Sequence, residues 1–210
     1  KMKSKINISV LGIIYAVGIL GFHSKYFGLF SILSPITLIL SFLVLYITSA
    51  KTEILKFRLF LTFIIGLLIE IIGVKTGLPF GTYLYLEGLG SKILGVPWVM
   101  GLNWLVLSWS AGQICAFYFR DFSKLLRCSA AVILLLSVDL LMEPVAVDLR
   151  FWIFSGSGPG ILNYIGWALT SALIQWILVD KIPSTKNNTA SAIIIFQIIF
   201  FASFQFWPLN

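Results

Sequence analysis

The chain has 210 residues, of which 59% are hydrophobic and 11% charged, at a mean hydropathy of +1.00. Soluble domains run nearer to roughly 45–50% apolar and about 25% charged, which excludes an ordinary soluble enzyme and predicts an all-α, polytopic helical membrane bundle. The net charge of +7 sits in loops flanking apolar runs, where it orients a chain in a bilayer, and no nucleic-acid partner is implied.

The length accommodates about seven spans of ~20 residues with short loops, expected as a single transmembrane domain over residues 1–210 without a cleavable signal peptide. Span 1 is predicted over Ile6 to Phe22 and span 2 over Phe27 to Ser49, with Pro35 inside it. His23, in the turn between them, reads as a solvated residue. Span 3 follows the charged loop of Lys51, Glu53, Lys56 and Arg58 and runs to Val74, with Glu70 in its last turns.

Lys75 to Gly95 holds five glycines, one proline and two tyrosines. It is too broken to span and predicts an interfacial or re-entrant lid carrying Tyr83 and Tyr85. Span 4 is expected over Val96 to Phe119, burying Asn103, Trp104, Trp109 and Gln113; span 5 covers Leu126 to Val147. Asp148 to Gly160, with Trp152 and an SGSGPG run, reads as a surface loop. Span 6 over Ile161 to Val179 begins with Asn163 and Trp167, and span 7 covers Ala190 to Trp207. Cys115 and Cys128 lack the spacing of a disulfide framework or zinc site and read as small core residues.

With seven spans, the N-terminal side holds eleven lysines and arginines, Lys1 among them, against four on the other. The positive-inside rule then makes the N-terminus cytoplasmic and places Glu70, Tyr83, Tyr85, Asn103, Asp139, Glu143, Asn163 and Trp167 in the opposite half of the membrane.

Asp139 and Glu143 are the chemical centre of this pattern. Residues i and i+4 share a helix face about 6 Å apart, and an acid in hydrocarbon is costly unless neutralised, paired or facing a wet cavity. A buried carboxyl beside another favours its protonated form. Such an acid can protonate an electron-rich alkene, while a second carboxylate and tryptophan faces stabilise the cation. Asp139, the deeper residue, is the expected proton donor, with Glu143 or Glu70 activating water. In the opposing structural reading Glu143 caps a helix end, Glu70 pairs with Lys75, and Asp139 bonds to Asn103 or a serine. The chain has no GxSxG elbow, no phosphate-binding glycine loop, no aspartate-rich magnesium motifs, and no span-7 lysine for a retinal Schiff base.

The run Glu70-x-x-Gly73-x-x-Thr76-Gly77-x-Pro79-Phe80-Gly81-x-Tyr83-x-Tyr85, followed by Leu89-Gly90, Gly95-Val96-Pro97 and Asn103-Trp104, resembles the carotenoid biosynthesis membrane proteins that include the bacterioruberin-type and gamma-carotene hydratases. So does the set Asp139, Glu143-Pro144-Val145-Ala146, Trp152, Asn163 and Gly166-Trp167. The resemblance covers Glu70 to Trp167. It implies a cofactor-independent hydratase adding water across the terminal 1,2 (or 1′,2′) double bond of an acyclic carotenoid end. Catalytic roles fall on Asp139, Glu143 and Glu70, and substrate contacts on Tyr83, Tyr85, Asn103, Trp104, Trp152, Asn163 and Trp167. Glu143 stands where the family has an aspartate before the proline, which leaves the acid role open between it and Asp139. The implied partners are carotenoid, water, the lipid bilayer and other carotenoid-pathway enzymes, in a bacterial or archaeal cell membrane. The alternatives are an acid-catalysed carotenoid cyclase or isomerase, and a transporter or lipid-binding protein with midplane acids.

Overall fold

The computed structural model describes residues 2–156 and 158–209, with side chains from residue 6 onward. Lys1, counted in the orientation above, and Ser157 of the SGSGPG run lie outside them. Seven helices follow one another among the described residues: α1 (Met2–Phe22), α2 (Phe27–Thr48), α3 (Glu53–Thr76), α4 (Val99–Tyr118), α5 (Lys124–Ala146), α6 (Ile161–Leu178) and α7 (Asn188–Phe206). Side-chain caps start three of them. Thr52 accepts from Leu55 N at 3.2 Å, Ser123 from Leu126 N at 3.3 Å, and Asn187 from Thr189 N at 2.9 Å, each satisfying a backbone donor the first helical turn leaves free.

Five helices, α2, α3, α5, α6 and α7, are long and apolar enough to cross a membrane. Ile13, Ile32, Phe57, Phe60, Ile133 and Leu169 face outward and are exposed, an apolar surface that suits lipid and would aggregate in water. The apolar part of α1 is the shorter stretch Ile6–Phe22. Helix α4 differs for a physical reason. It buries 17 of its 20 residues against α2, α3, α5, α6 and α7, so it needs no greasy outer face and can carry Asn103, Ser108, Ser110 and Gln113. The chain is thus a helical membrane bundle wound around α4.

Four short strands depart from the all-helical expectation: β1 (Tyr83–Tyr85), β2 (Lys92–Ile93), β3 (Val96–Pro97) and β4 (Trp152–Phe154). β2 and β3 form a hairpin that occupies the expected start of span 4. β1 and β4 pair antiparallel with Tyr83 opposite Phe154 and Tyr85 opposite Trp152. Strand side chains alternate between faces, so Leu84 and Ile153 point outward while Tyr83, Tyr85, Trp152 and Phe154 are buried beneath the ribbon. Residues 149–154 are therefore half of a lid and not part of a surface loop, since Leu149, Phe151, Trp152 and Phe154 are buried, whereas Ser155, Gly156, Gly158 and Gly160 are exposed as expected.

Two glycines let this roof sit close. A Cβ on Gly73 of α3 would stand 2.7 Å from the Tyr83 hydroxyl, and one on Gly166 of α6 would stand 2.7 Å from the Phe80 ring and 2.9 Å from Pro79 O. His23 also differs from its expected solvated state. Its ring stacks on Trp207 at 3.7 Å between centroids, and its Nε2 lies 2.8 Å from Trp207 O, fastening the α1–α2 turn to the end of α7.

Candidate active site

Under the β1–β4 roof, α3, α4, α5 and α6 bring together three buried carboxyls. Glu70 on α3 is 3% exposed and Asp139 and Glu143 on α5 are 0% and 4% exposed. Glu70 has three donors. The Tyr83 and Tyr85 hydroxyls reach Oε2 at 2.5 and 2.8 Å, and Trp104 Nε1 donates to Oε1 at 2.8 Å. Burial, then the neighbouring Glu70 charge, pushes the ionisation of both tyrosines upward, which keeps them as donors. Period-two alternation in β1 is what points both hydroxyls at the same oxygen.

Asp139 and Glu143, one turn apart, form the second group. The Asn163 amide, in the first turn of α6, donates to Glu143 Oε1 at 3.0 Å and to Asp139 Oδ2 at 3.3 Å. Trp152 Nε1 from β4 donates to Glu143 Oε2 at 3.0 Å. The Asn163 amide thus bridges the two carboxyls, and Asp139 Oδ1 has no hydrogen-bond partner. The Tyr85 ring meets the Trp152 ring edge-on at 5.9 Å and so joins the two groups. On the far side Trp104 and Trp167 stack with centroids 4.2 Å apart.

None of the structural pairings weighed from sequence is what holds these acids. Glu70 is bound by tyrosines and tryptophan and not by Lys75; Asp139 is bound by Asn163 and not by Asn103 or a serine. Among the described residues the ion pairs lie in or beside loops, at Glu53–Lys56, Arg120–Asp121 and Asp180 with Lys124 and Lys181. Glu70 and Glu143 therefore front an enclosed space with aromatic rings, the Asn163 amide and no lysine or arginine among the described residues that line it, an arrangement that favours a positive charge between them. Among those residues no group of three or more His, Cys, Asp or Glu converges as a metal site would require.

The space itself is a cavity of about 10 Å³, bounded by Glu70, Glu143, Tyr83, Tyr85, Asn163 and Trp167 among others. One water needs roughly that volume and two to four polar neighbours. Nine of the ten residues expected from sequence meet here: Glu70, Tyr83, Tyr85, Glu143, Trp152, Asn163 and Trp167 on the wall, Trp104 through Glu70 and Asp139 through Asn163. Asn103 faces elsewhere and lines a larger neighbouring pocket. Asp139, one turn from Glu143, does not border the cavity. Phe80, Met100 and Phe154 also line the cavity and were not expected; the alternation Trp152-x-Phe154 carried a usable signal for the last of them.

Fold and site together define a polytopic helical membrane protein with an enclosed, uncompensated carboxyl cluster at one end of the bundle. Residues 26–209 match the family model described as carotenoid biosynthesis protein, and the chain belongs to that family. Over 111 residues it is 32% identical to the bisanhydrobacterioruberin hydratase of Haloarcula japonica, a match that covers 50% of this chain and 38% of that relative. The chain thus spans well under half the length of that curated relative. No solved structure matches it.

Proposed function

We propose that the chain is a carotenoid hydratase that adds water across the terminal 1,2 (1′,2′) double bond of an acyclic carotenoid end group. The observation that carries the reading is the water-sized cavity between Glu70 and Glu143, walled by aromatic rings. Membership of the carotenoid biosynthesis family and the likeness to a hydratase support the substrate class.

In this mechanism Asp139 and Glu143 hold one proton between them. Glu143, which borders the cavity, gives it to the less substituted alkene carbon; the π electrons form that C–H bond and leave a tertiary cation at the terminal carbon. Glu70, receiving three donors, has the hydrogen bonding of a carboxylate and stabilises the cation with the faces of Tyr85, Trp152 and Trp167. Water held against the Asn163 end of the cavity adds its oxygen to the cation, and its surplus proton returns to the Asp139–Glu143 pair. The sum is one water added and a tertiary alcohol, with every carboxyl restored and no cofactor used. A cyclase or isomerase would share the protonation and lose a proton from carbon instead; a water-sized space beside the acids favours capture by water. The transporter reading has less support, since Gln113 donates to Pro183 O and Thr185 O and Gln175 to Ser108 O, which uses these amides to tie helices and loops together. The charge asymmetry of the loops supports an N-terminus in the cytoplasm and residence in the cell membrane of a bacterium or archaeon.

The test is expression in cells that accumulate an acyclic carotenoid such as lycopene. A product heavier by one water, labelled when the medium contains ¹⁸O-water, is expected; a cyclised or isomerised product of unchanged mass would replace this reading with its rival.

A further inference from the structure

Beside the acid cluster lies a second and far larger space. It measures about 320 Å³ and runs between α1, α2 and α7 to the flank of α4. Its walls are almost wholly apolar, and its rim residues Ile13, Val17, Leu33 and Ile36 are exposed on the bundle's outer face. In a membrane protein that face meets lipid, so the groove opens sideways into hydrocarbon and not upward into water.

Two features tie it to the reaction. Met100 and Trp152 line both this groove and the acid cavity, so the two spaces adjoin at those side chains. Asn103 stands on the groove wall, 5% exposed, and its Nδ2 donor has no protein partner. An unused buried amide donor costs about 1–3 kcal/mol, a cost an oxygen acceptor on a ligand would relieve.

We propose that this groove binds the hydrocarbon body of the substrate, a linear polyisoprenoid that enters laterally from the bilayer between α1 and α2. Its end group passes Met100 and Trp152 to reach Glu143, and Asn103 donates to the new hydroxyl once the hydrated end withdraws into the groove. The inference rests on the hydratase reading for the end-group chemistry and on the groove alone for the chain. Pockets of some 300–1,000 Å³ enclose a drug-sized molecule, so a polyisoprenoid is held over its terminal portion while the rest stays in lipid. A phospholipid acyl chain would fit the shaft but has no use for a polar end beside carboxyls. The polar patch of Tyr15, Ser41 and Gln197, in which Gln197 Nε2 donates to the Tyr15 hydroxyl at 3.1 Å and Tyr15 and Ser41 hydroxyls lie 3.3 Å apart, closes the groove away from the acids and limits how much chain it takes.

Thr37 and Ser34 of α2 line the groove and touch none of the acid cluster. Thr37→Phe should fill the shaft and leave Glu70, Asp139 and Glu143 in place. Lycopene, an achiral linear polyene, gains visible circular dichroism only when held in a chiral site, so its induced signal in nanodiscs reports binding without turnover. With the parent protein an induced band is expected. Thr37→Phe should reduce that band and the hydration of lycopene at least tenfold, yet hydrate a short acyclic terpene with the same dimethyl-substituted end at a near-parental rate. Ser34→Phe, read the same way, repeats the test at an independent site. No induced band in the parent, or variants that keep both lycopene signals, or equal loss on long and short substrates, would overturn the groove assignment. An induced band that the variants abolish, in a parent that forms no hydrated product, would uphold the groove and sink the hydratase reading.

Discussion

Replacing Glu70 with glutamine tests the electrostatic role of the cluster in isolation from proton donation. The side chain keeps its length, but its charge is lost and one oxygen becomes an N–H donor. Trp104 Nε1 can only donate, so the amide oxygen must turn towards it, leaving the amide nitrogen against the Tyr83 and Tyr85 hydroxyls. Those hydroxyls then have to accept. Two charge-assisted hydrogen bonds are thereby weakened by about 1 kcal/mol each, while relief of a buried charge offsets part of the loss, so the variant is expected to fold. Catalysis has no such offset. A cation forming about 5 Å away, across a cavity roughly one water wide, interacts with the carboxylate by about 3 kcal/mol at an effective dielectric of about 20. That corresponds to a fall in turnover on the order of 10²-fold. Tyr85→Phe is the control: it keeps the charge and removes one donor, with an expected loss of about tenfold or less. The assay is hydrated carotenoid formed per amount of folded, membrane-inserted protein. Turnover of Glu70→Gln within a factor of about three of the parent would refute the assignment of Glu70 as the cation's counter-charge.

Glu143→Gln should lower turnover by about 10²–10⁴-fold, the usual range for one general acid, whereas Asp139→Asn should leave a measurable remnant because it does not border the cavity; equal rates in the two variants, measured by the same assay, would contradict the division of labour. Trp152→Phe keeps an aromatic face but removes the Nε1 donor 3.0 Å from Glu143 and part of the buried indole, and should cost about 1–3 kcal/mol in thermal unfolding in detergent together with a drop in turnover. Gly73→Ala places a Cβ against the Tyr83 hydroxyl and should destabilise by about 1–3 kcal/mol, with Tyr83 displaced from Glu70; an unchanged melting temperature would show that β1 is free to lift.

Helices and acids were readable from sequence because both signals are local. Apolar runs of span length set α2, α3, α5, α6 and α7, and the i, i+4 spacing of Asp139 and Glu143 put both on one face of α5. Asn163, Trp152 and Tyr83 stand out in the sequence, but their partners do not, since contacts made across 20, 9 and 13 residues of chain from another element leave no trace in local periodicity. The pairing of β1 with β4 joins residues 67 to 71 positions apart, and three-residue strands give too little alternation to announce it. The same limit separates depth from exposure to the cavity: the depth of Asp139 along α5 can be counted in the sequence, but that Glu143 and not Asp139 lines the cavity depends on how α6 and β4 pack over it. The groove between α1 and α2 was invisible because a void is a property of packing, and its lining reads as ordinary lipid-facing residues.

The measurement closest to the central claim is hydration of lycopene in ¹⁸O-water by the parent chain beside Glu143→Gln, in matched membranes. The account predicts a tertiary alcohol carrying the label from the parent and at most a hundredth as much from the variant. Labelled product at equal rates from both would remove Glu143 from the chemistry and contradict the proposed proton transfer.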